Sequence, residues 1–191
     1  MKSRATLAVL SLASALAFSA PAAAQDTGFY AGFHLGQATL KDFCSGLSGP
    51  GISCDEKDTS WKILGGYQFN RNLALELGYA DLGEATIAGP GIGGTLEATA
   101  FEVVAVGMLP VMDKFSLYGK IGIYRGDTEA NGLGGSASET NTDLTFGVGA
   151  RFDFTRNLGV RAEWQKYQDM GGGVIGEGDV DVVSVGLLWR F

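Results

Sequence analysis

Apolar residues occupy every second position in the final stretch of the chain, VDVVSVGLLWRF. These positions are Val183, Val185, Leu187, Trp189 and Phe191. A period of two residues is typical of a β-strand with two different faces. Seven earlier segments show the same alternation, so we predict eight strands in all. The seven are residues 28–36, 61–69, 73–79, 101–109, 115–123, 144–152 and 158–164.

From Val183 to Phe191 and in the seven earlier segments, all charged residues lie on the face opposite the apolar one. They are Lys62, Glu76, Glu102, Lys120, Arg151, Arg161, Glu163 and Arg190. A soluble lipocalin-like barrel would show the reverse arrangement, with a polar outside around an apolar cavity. An apolar outer face and an ionic inner face indicate a sheet surrounded by lipid, where a closed barrel pairs every backbone group. We therefore predict an all-β fold: an eight-stranded antiparallel up-and-down transmembrane β-barrel, in which the last strand pairs with the first.

The connections between the predicted strands alternate in length. Three are short and rich in Asn, Asp and Pro, at residues 70–72, 110–114 and 153–157, as expected for hairpin turns. Four are long and polar, at about residues 41–60, 81–98, 125–143 and 166–179. Outer-membrane barrels have short periplasmic turns and longer extracellular loops. We expect this orientation here.

The first residues of the chain follow a different pattern. Lys2 and Arg4 precede an apolar stretch, and a run of three alanines follows it. This order is typical of a secretory signal peptide. We predict a signal peptide over residues 1–24 and the barrel domain over residues 25–191. The chain has 14 basic and 21 acidic residues, and loss of the two basic ones leaves 12 − 21 = −9, which argues against nucleic acid as a partner.

Cys44 and Cys54 are the only cysteines, and both lie in the part expected to be exported. Such a pair favours an oxidising compartment and one disulfide. Two cysteines and a single histidine offer no plausible transition-metal site. We expect no metal and no cofactor.

The inward charged residues allow two interpretations. The lumen of an eight-stranded barrel is only wide enough for side chains to fill. Five positive and three negative groups favour a paired network that closes the lumen, because an unpaired buried charge is costly. In that network Lys120, Arg151 and Arg161 pair with the three glutamates. The alternative is an ion path along the same groups.

His34, the only histidine, has inward parity near the outer end of the first strand. Some outer-membrane barrels are lipid-modifying enzymes that use a histidine with a serine and an acid. No serine of suitable parity lies near His34 in the sequence. We expect His34 to be a hydrogen-bonded lumen residue, and we expect the protein not to be an enzyme.

Acidic residues are frequent in the four long connections. Solvation of these segments explains the acidity without any function. The more specific interpretation is divalent-cation bridging to lipopolysaccharide, or attraction of a cationic surface partner. The acidic residues are Asp55, Glu56, Asp58, Glu84, Asp127, Glu129, Glu139, Asp169, Glu177 and Asp179.

Four stretches of the chain are GGYQFNRNLALELGYADLGEA (65–85), DKFSLYGKIG (113–122), RNLGVRAEWQKY (156–167) and SVGLLWRF (184–191). Together they resemble the small OmpA-like and OmpX-like outer-membrane barrels, the first stretch resembling the family's second hairpin and the next two its later strands. The closing SVGLLWRF resembles the terminal strand that the barrel-assembly machinery recognises. The resemblance therefore implies that the alternating apolar residues from Val183 to Phe191 form an assembly signal. The sequence departs from full OmpA proteins in stopping at Phe191, so we expect a single barrel domain without the periplasmic OmpA C-terminal domain.

The resemblance implies little about activity, because a fold does not determine a function. We expect a monomeric protein of the Gram-negative cell outer membrane with a structural or adhesin-like surface-interaction role. Its expected partners are outer-membrane lipids, lipopolysaccharide and a host or surface ligand that contacts the outer loops. The alternative is a narrow porin-like channel for ions or small solutes. A remote alternative is a lipid-modifying enzyme.

Overall fold

The computed structural model describes residues 27–41, 53–89, 92–132, 135–172 and 176–191. The predicted signal peptide and Cys44 lie outside the described residues. The described part of the chain forms nine strands. They are β1 (Gly28–Leu40), β2 (Ser53–Asp55), β3 (Lys57–Asn70), β4 (Leu73–Gly89), β5 (Ile92–Met112), β6 (Phe115–Gly132), β7 (Gly135–Asp153), β8 (Leu158–Gly172) and β9 (Gly176–Arg190).

All strands except β2 join in one closed antiparallel ring. Going around the ring, the order is β4, β3, β1, β9, β8, β7, β6 and β5, and β5 pairs with β4 again. The closing contact is the one predicted, because β9 pairs with β1 from Tyr30 opposite Arg190 to Leu40 opposite Val180. The eight-stranded up-and-down barrel is thereby confirmed, with β2 as an addition that pairs with β4.

The two faces of the strands follow the predicted parity. Large apolar side chains such as Phe33, Ile121 and Leu187 are 46%, 61% and 57% exposed. Such exposure would be unfavourable in water, but it suits side chains that lie against lipid. The intervening side chains are directed into the ring and are mostly buried.

The strands are longer than the sequence predicted. Residues 81–98, 125–143 and 166–179 were expected to be loops, but the described residues among them are mostly strand. β4 continues to Gly89, β6 to Gly132 and β8 to Gly172. Asp127 pairs with Thr140 in β6 and β7, well inside a predicted loop. Backbone pairing therefore continues past the apolar region, where polar side chains such as Thr140 can reach water.

The lumen is layered along the barrel axis. At the end with the short turns, an apolar cluster includes Tyr30, Val104 and Leu188. At the opposite end, a second apolar cluster includes Leu82, Met170 and Val180. Buried charged side chains lie between the two clusters.

None of the described residues belongs to a helix long and apolar enough to cross a bilayer.

Candidate functional site in the barrel lumen

The centre of the lumen contains a cluster of ion pairs around Glu163 of β8. Glu163 Oε1 accepts hydrogen bonds from the Nζ atoms of Lys62 and Lys120, each at 2.6 Å. Both lysines also donate to Gln165 Oε1, at 2.8 Å and 2.6 Å. The second carboxylate oxygen of Glu163 accepts the Tyr118 hydroxyl at 2.8 Å. Three strands, β3, β6 and β8, thus meet at one carboxylate.

A second ion pair crosses the full width of the barrel. Arg161 Nη1 and Nη2 donate to the two oxygens of Glu76 at 3.2 Å and 2.8 Å. Their strands, β8 and β4, are four places apart in the ring of eight and so lie opposite each other. The Tyr30 hydroxyl donates to Glu76 at 2.6 Å, and the guanidinium of Arg161 lies 4.4 Å from the centre of the Tyr118 ring. This is the bidentate, cation–π-supported geometry in which arginine is strongly held.

Glu102 of β5 completes the cluster. Lys62 and Lys120 lie 3.5 Å and 3.7 Å from its carboxylate. The Tyr167 hydroxyl donates to Glu102 at 2.8 Å, and the amide of Gln165 also donates to it. Three carboxylates therefore face three cations, and the side chains of Glu76, Glu102, Glu163, Lys120 and Arg161 are at most 1% exposed. Balanced pairing of this kind is what makes buried charge tolerable.

Two of the eight predicted charges lie outside this cluster, which corrects the predicted pairing of Arg151 with a glutamate. Arg151 binds Asp153, two residues along β7, with Nη2 at 2.9 Å from Oδ1. Arg190 donates to Gln68 at 3.4 Å. Arg151 lies opposite Arg161 in the pairing of β7 with β8, but it is Arg161 that holds Glu76. The three carboxylates are already matched by the three nearer cations.

Several members of the cluster carry no charge and were not singled out in the sequence. They are Tyr30, Tyr118, Thr145, Gln165 and Tyr167. In the sequence they are marked only by a polar side chain at an inward-facing position. A search for charged residues does not detect such positions. Glycines on the neighbouring strands leave room for two lumen rings on β1, those of Tyr30 and His34. A Cβ added at Gly66 would overlap the Tyr30 ring, and one at Gly186 would overlap the His34 ring.

His34 is 1% exposed, and its Nδ1 lies 3.4 Å from Ser184 Oγ. Ser184 is on β9, the neighbouring strand in the ring, which explains why no serine was found near His34 in the sequence. The other ring nitrogen, Nε2, has no hydrogen-bond partner among the described residues. A Ser-His-acid arrangement would need a carboxylate at that nitrogen, and none of the described residues supplies one.

The five apolar residues of the predicted assembly signal lie on the outer face of β9 and just after it. Val183, Val185, Leu187, Trp189 and Phe191 are 61%, 57%, 57%, 52% and 75% exposed. The backbone NH of Phe191 donates to the Phe29 carbonyl at 3.0 Å. Pairing with β1 therefore continues to the last residue.

A pocket of about 310 Å³ opens at the end of the lumen opposite the short turns. Its walls include Ala38, Leu82, Ala98, Met170 and Val180, and acidic side chains stand at its edge. Nearby, Lys166 Nζ lies 2.6 Å from Asp179 Oδ2. This hydrogen bond raises the pKa of Lys166 and lowers the pKa of Asp179, because it favours the charged form of each.

Within the described ranges, no three His, Cys, Asp or Glu side chains form a group that could hold a metal ion.

Residues 9–191 match the family model described as the outer membrane protein beta-barrel domain. The chain belongs to this family. The protein is accordingly an integral protein of the outer membrane, with its short turns towards the periplasm and its long extensions outside. Outer membrane protein A of Klebsiella aerogenes is 30% identical to it over 179 residues, which cover 90% of this chain.

The chain spans about half the length of the curated relatives it matches, for example 51% of the Klebsiella aerogenes protein. Two solved outer-membrane barrels have the same fold. Neisserial surface protein A has a TM-score of 0.62 at 18% identity, covering 86% of this chain and 97% of that one. Ail, the attachment invasion locus protein of Yersinia pestis, has a TM-score of 0.52 at 17% identity, covering 86% and 99%. None of these barrel proteins is named as an enzyme.

Proposed function

We propose that the protein is a closed outer-membrane barrel, without catalytic activity, whose role is structural and surface-interacting through its extracellular end. The observation that carries this proposal is the central ion cluster. Its side chains fill the middle of the lumen and are almost completely buried. The Glu76–Arg161 pair reaches across the lumen between opposite strands. A solute that passes through the barrel would therefore have to break this pair.

The alternative of a narrow ion path uses the same charged residues. An ion path needs groups that can exchange partners with a passing ion. Here Arg161 holds Glu76 with two hydrogen bonds, and Glu163 is bound by two lysines and a tyrosine. The geometry favours a plug over a path.

The extracellular end supports a surface role. β4 to β9 extend beyond the apolar region as paired hairpins that carry acidic side chains, among them Glu84, Asp127 and Glu129. A solved structure of Ail contains the heparin analogue sucrose octasulfate. A polyanionic ligand does not suit the present chain, because its net charge is −7 and its extensions are acidic. Partners that carry positive charge, or lipopolysaccharide bridged by divalent cations, fit this charge better.

A deletion strain tests this function. Cells that lack the protein should adhere less well to host or abiotic surfaces, while uptake of small hydrophilic solutes stays at the wild-type rate. Expression of the intact protein should restore adhesion. A strain with normal adhesion and reduced uptake would contradict the surface role and favour the channel.

A further inference from the structure

The pocket at the extracellular end of the lumen has a closed floor and an apolar wall. Its inner part is continuous with the apolar cluster of Leu82, Tyr124, Tyr167, Met170 and Val180. The ion cluster lies beneath, where Tyr167 donates to Glu102. The pocket therefore ends blindly inside the barrel. Its volume of about 310 Å³ lies within the range of ordinary small-molecule sites.

One polar atom in this apolar wall has no partner. Thr128 on β6 lines the pocket and is 2% exposed. Its Oγ1 makes no hydrogen bond within the described residues. A buried hydroxyl without a partner is unfavourable, and a small number of polar groups in a mostly apolar pocket is typical of sites that orient a ligand.

The charges at the pocket edge are mainly negative. Glu56, Asp58 and Glu84 line it, and Lys41 is the only base among the described residues of the lining. Lys41 is already paired with Asp181, at 3.2 Å. The edge therefore presents more negative than positive charge to a ligand that enters from outside.

We propose that this pocket binds a small cationic amphiphile, with its apolar body in the lumen and its ammonium group at the acidic edge. A cavity of about 150 Å³ holds one benzene molecule, so the present pocket has room for a body of about ten carbons. The Thr128 hydroxyl would bind a polar atom of the ligand near the head group. The proposal goes beyond a surface role, and it requires only the pocket, not any particular surface partner.

The methionines provide a direct readout of binding. The protein is labelled with [methyl-¹³C]methionine, folded in nanodiscs of neutral phosphatidylcholine and titrated with decylamine. Met170 lines the pocket, whereas Met108 is buried near the turn end and Met112 is 71% exposed at the turn. We expect the Met170 methyl signal to shift and saturate. Met108 should not move, and Met112 should report only non-saturating partition of the amine into the bilayer.

Matched ligands and variants separate the parts of the proposal. Decanoate should not shift Met170 saturably, and decan-1-ol should bind about tenfold more weakly than decylamine. Ala98→Phe fills the pocket and should abolish the saturable shift. Ala105→Phe adds the same ring to the outer face of the same strand and should change nothing.

Thr128→Val keeps the shape and removes the hydroxyl, so the affinity should fall about threefold to tenfold. An unmoved Met108 signal shows that each variant is folded. Absence of a saturable Met170 shift in the wild-type protein overturns the pocket proposal. Equal binding of decylamine and decanoate overturns the assignment of a cationic ligand. Neither result depends on whether the protein supports adhesion.

Discussion

Leu75 and Glu76 are consecutive residues of β4, yet they face different surroundings. Leu75 is 42% exposed on the outer face, and Glu76 is 1% exposed in the lumen. The outer face needs only apolar side chains, because lipid makes no specific contact with any of them. The lumen face needs particular partners, because each buried charge requires an opposite one. One strand therefore carries a tolerant face and a specific face.

The largest expected effect is the loss of Arg161 from the lumen. Arg161→Met leaves Glu76 buried without its bidentate partner, so the free energy of unfolding should fall by about 3–5 kcal/mol. Arg151→Met is the matched control. Its partner Asp153 is 28% exposed in the side chain, so the loss should be below about 1 kcal/mol. Urea unfolding in lipid vesicles measures both.

Removing both partners sharpens the same comparison. Since the penalty comes from the unpaired charge, Glu76→Gln combined with Arg161→Met should recover most of the stability that Arg161→Met loses. Equal destabilisation by Arg161→Met and Arg151→Met, with no recovery in the double variant, would show that the cluster does not hold the lumen together.

The next effect concerns the outer face. Leu75→Arg places a cation in hydrocarbon and should lower the free energy of unfolding in bilayers by about 2–4 kcal/mol. Glu129→Arg has the same outward parity on β6, but it lies on the exposed extension. Its effect should be within about 0.5 kcal/mol. Similar losses for the two variants would mean that Leu75 does not face lipid.

Parity in the sequence was sufficient to predict the ring and both faces, because a strand places successive side chains on opposite sides. Residues 81–98 were predicted as a loop because their side chains are polar. Strand pairing, however, depends on the backbone. Within this segment β4 therefore continues to Gly89, and β5 begins at Ile92.

The lumen was predictable in part. Charge and parity identified Lys62, Lys120, Arg161 and the glutamates, which the structure brings together. They could not specify partners, because two neighbouring cations on the inward parity can compete for one carboxylate. Arg151 lies opposite Arg161, yet Arg161 holds Glu76 and Arg151 binds Asp153. Gln165 was missed because an uncharged polar residue on the inward parity has no distinctive sequence signal.

A smaller effect is expected at the predicted disulfide. Cys54 lies on β2, which pairs with the outer end of β4. A bridge from Cys54 to Cys44 should stabilise the outer segment by somewhat under ~3 kcal/mol and leave the barrel almost unchanged. Reduction should therefore increase proteolysis of the outer segment without changing the urea midpoint. Free thiols in unreduced, native protein would contradict the bridge.

The smallest effect on the folded state is expected for deletion of Phe191. One exposed interfacial ring and one backbone hydrogen bond are lost, so refolding into detergent should change by less than about 1 kcal/mol. Assembly in cells should suffer much more if the residue belongs to the assembly signal, and unfolded protein should collect in the periplasm. Wild-type amounts of the variant in the outer membrane would contradict a role of Phe191 in the assembly signal.

Planar-bilayer recording of the pure, folded protein tests the closed lumen most directly. Because the Glu76–Arg161 pair and the Glu163 cluster fill the cross-section, the wild-type protein should show small, rare openings or none, far below those of 16-stranded porins. Glu76→Ala combined with Arg161→Ala should open more often, while Arg151→Ala should behave like the wild type. A large, steady conductance from the wild-type protein would contradict the closed barrel and establish a channel instead.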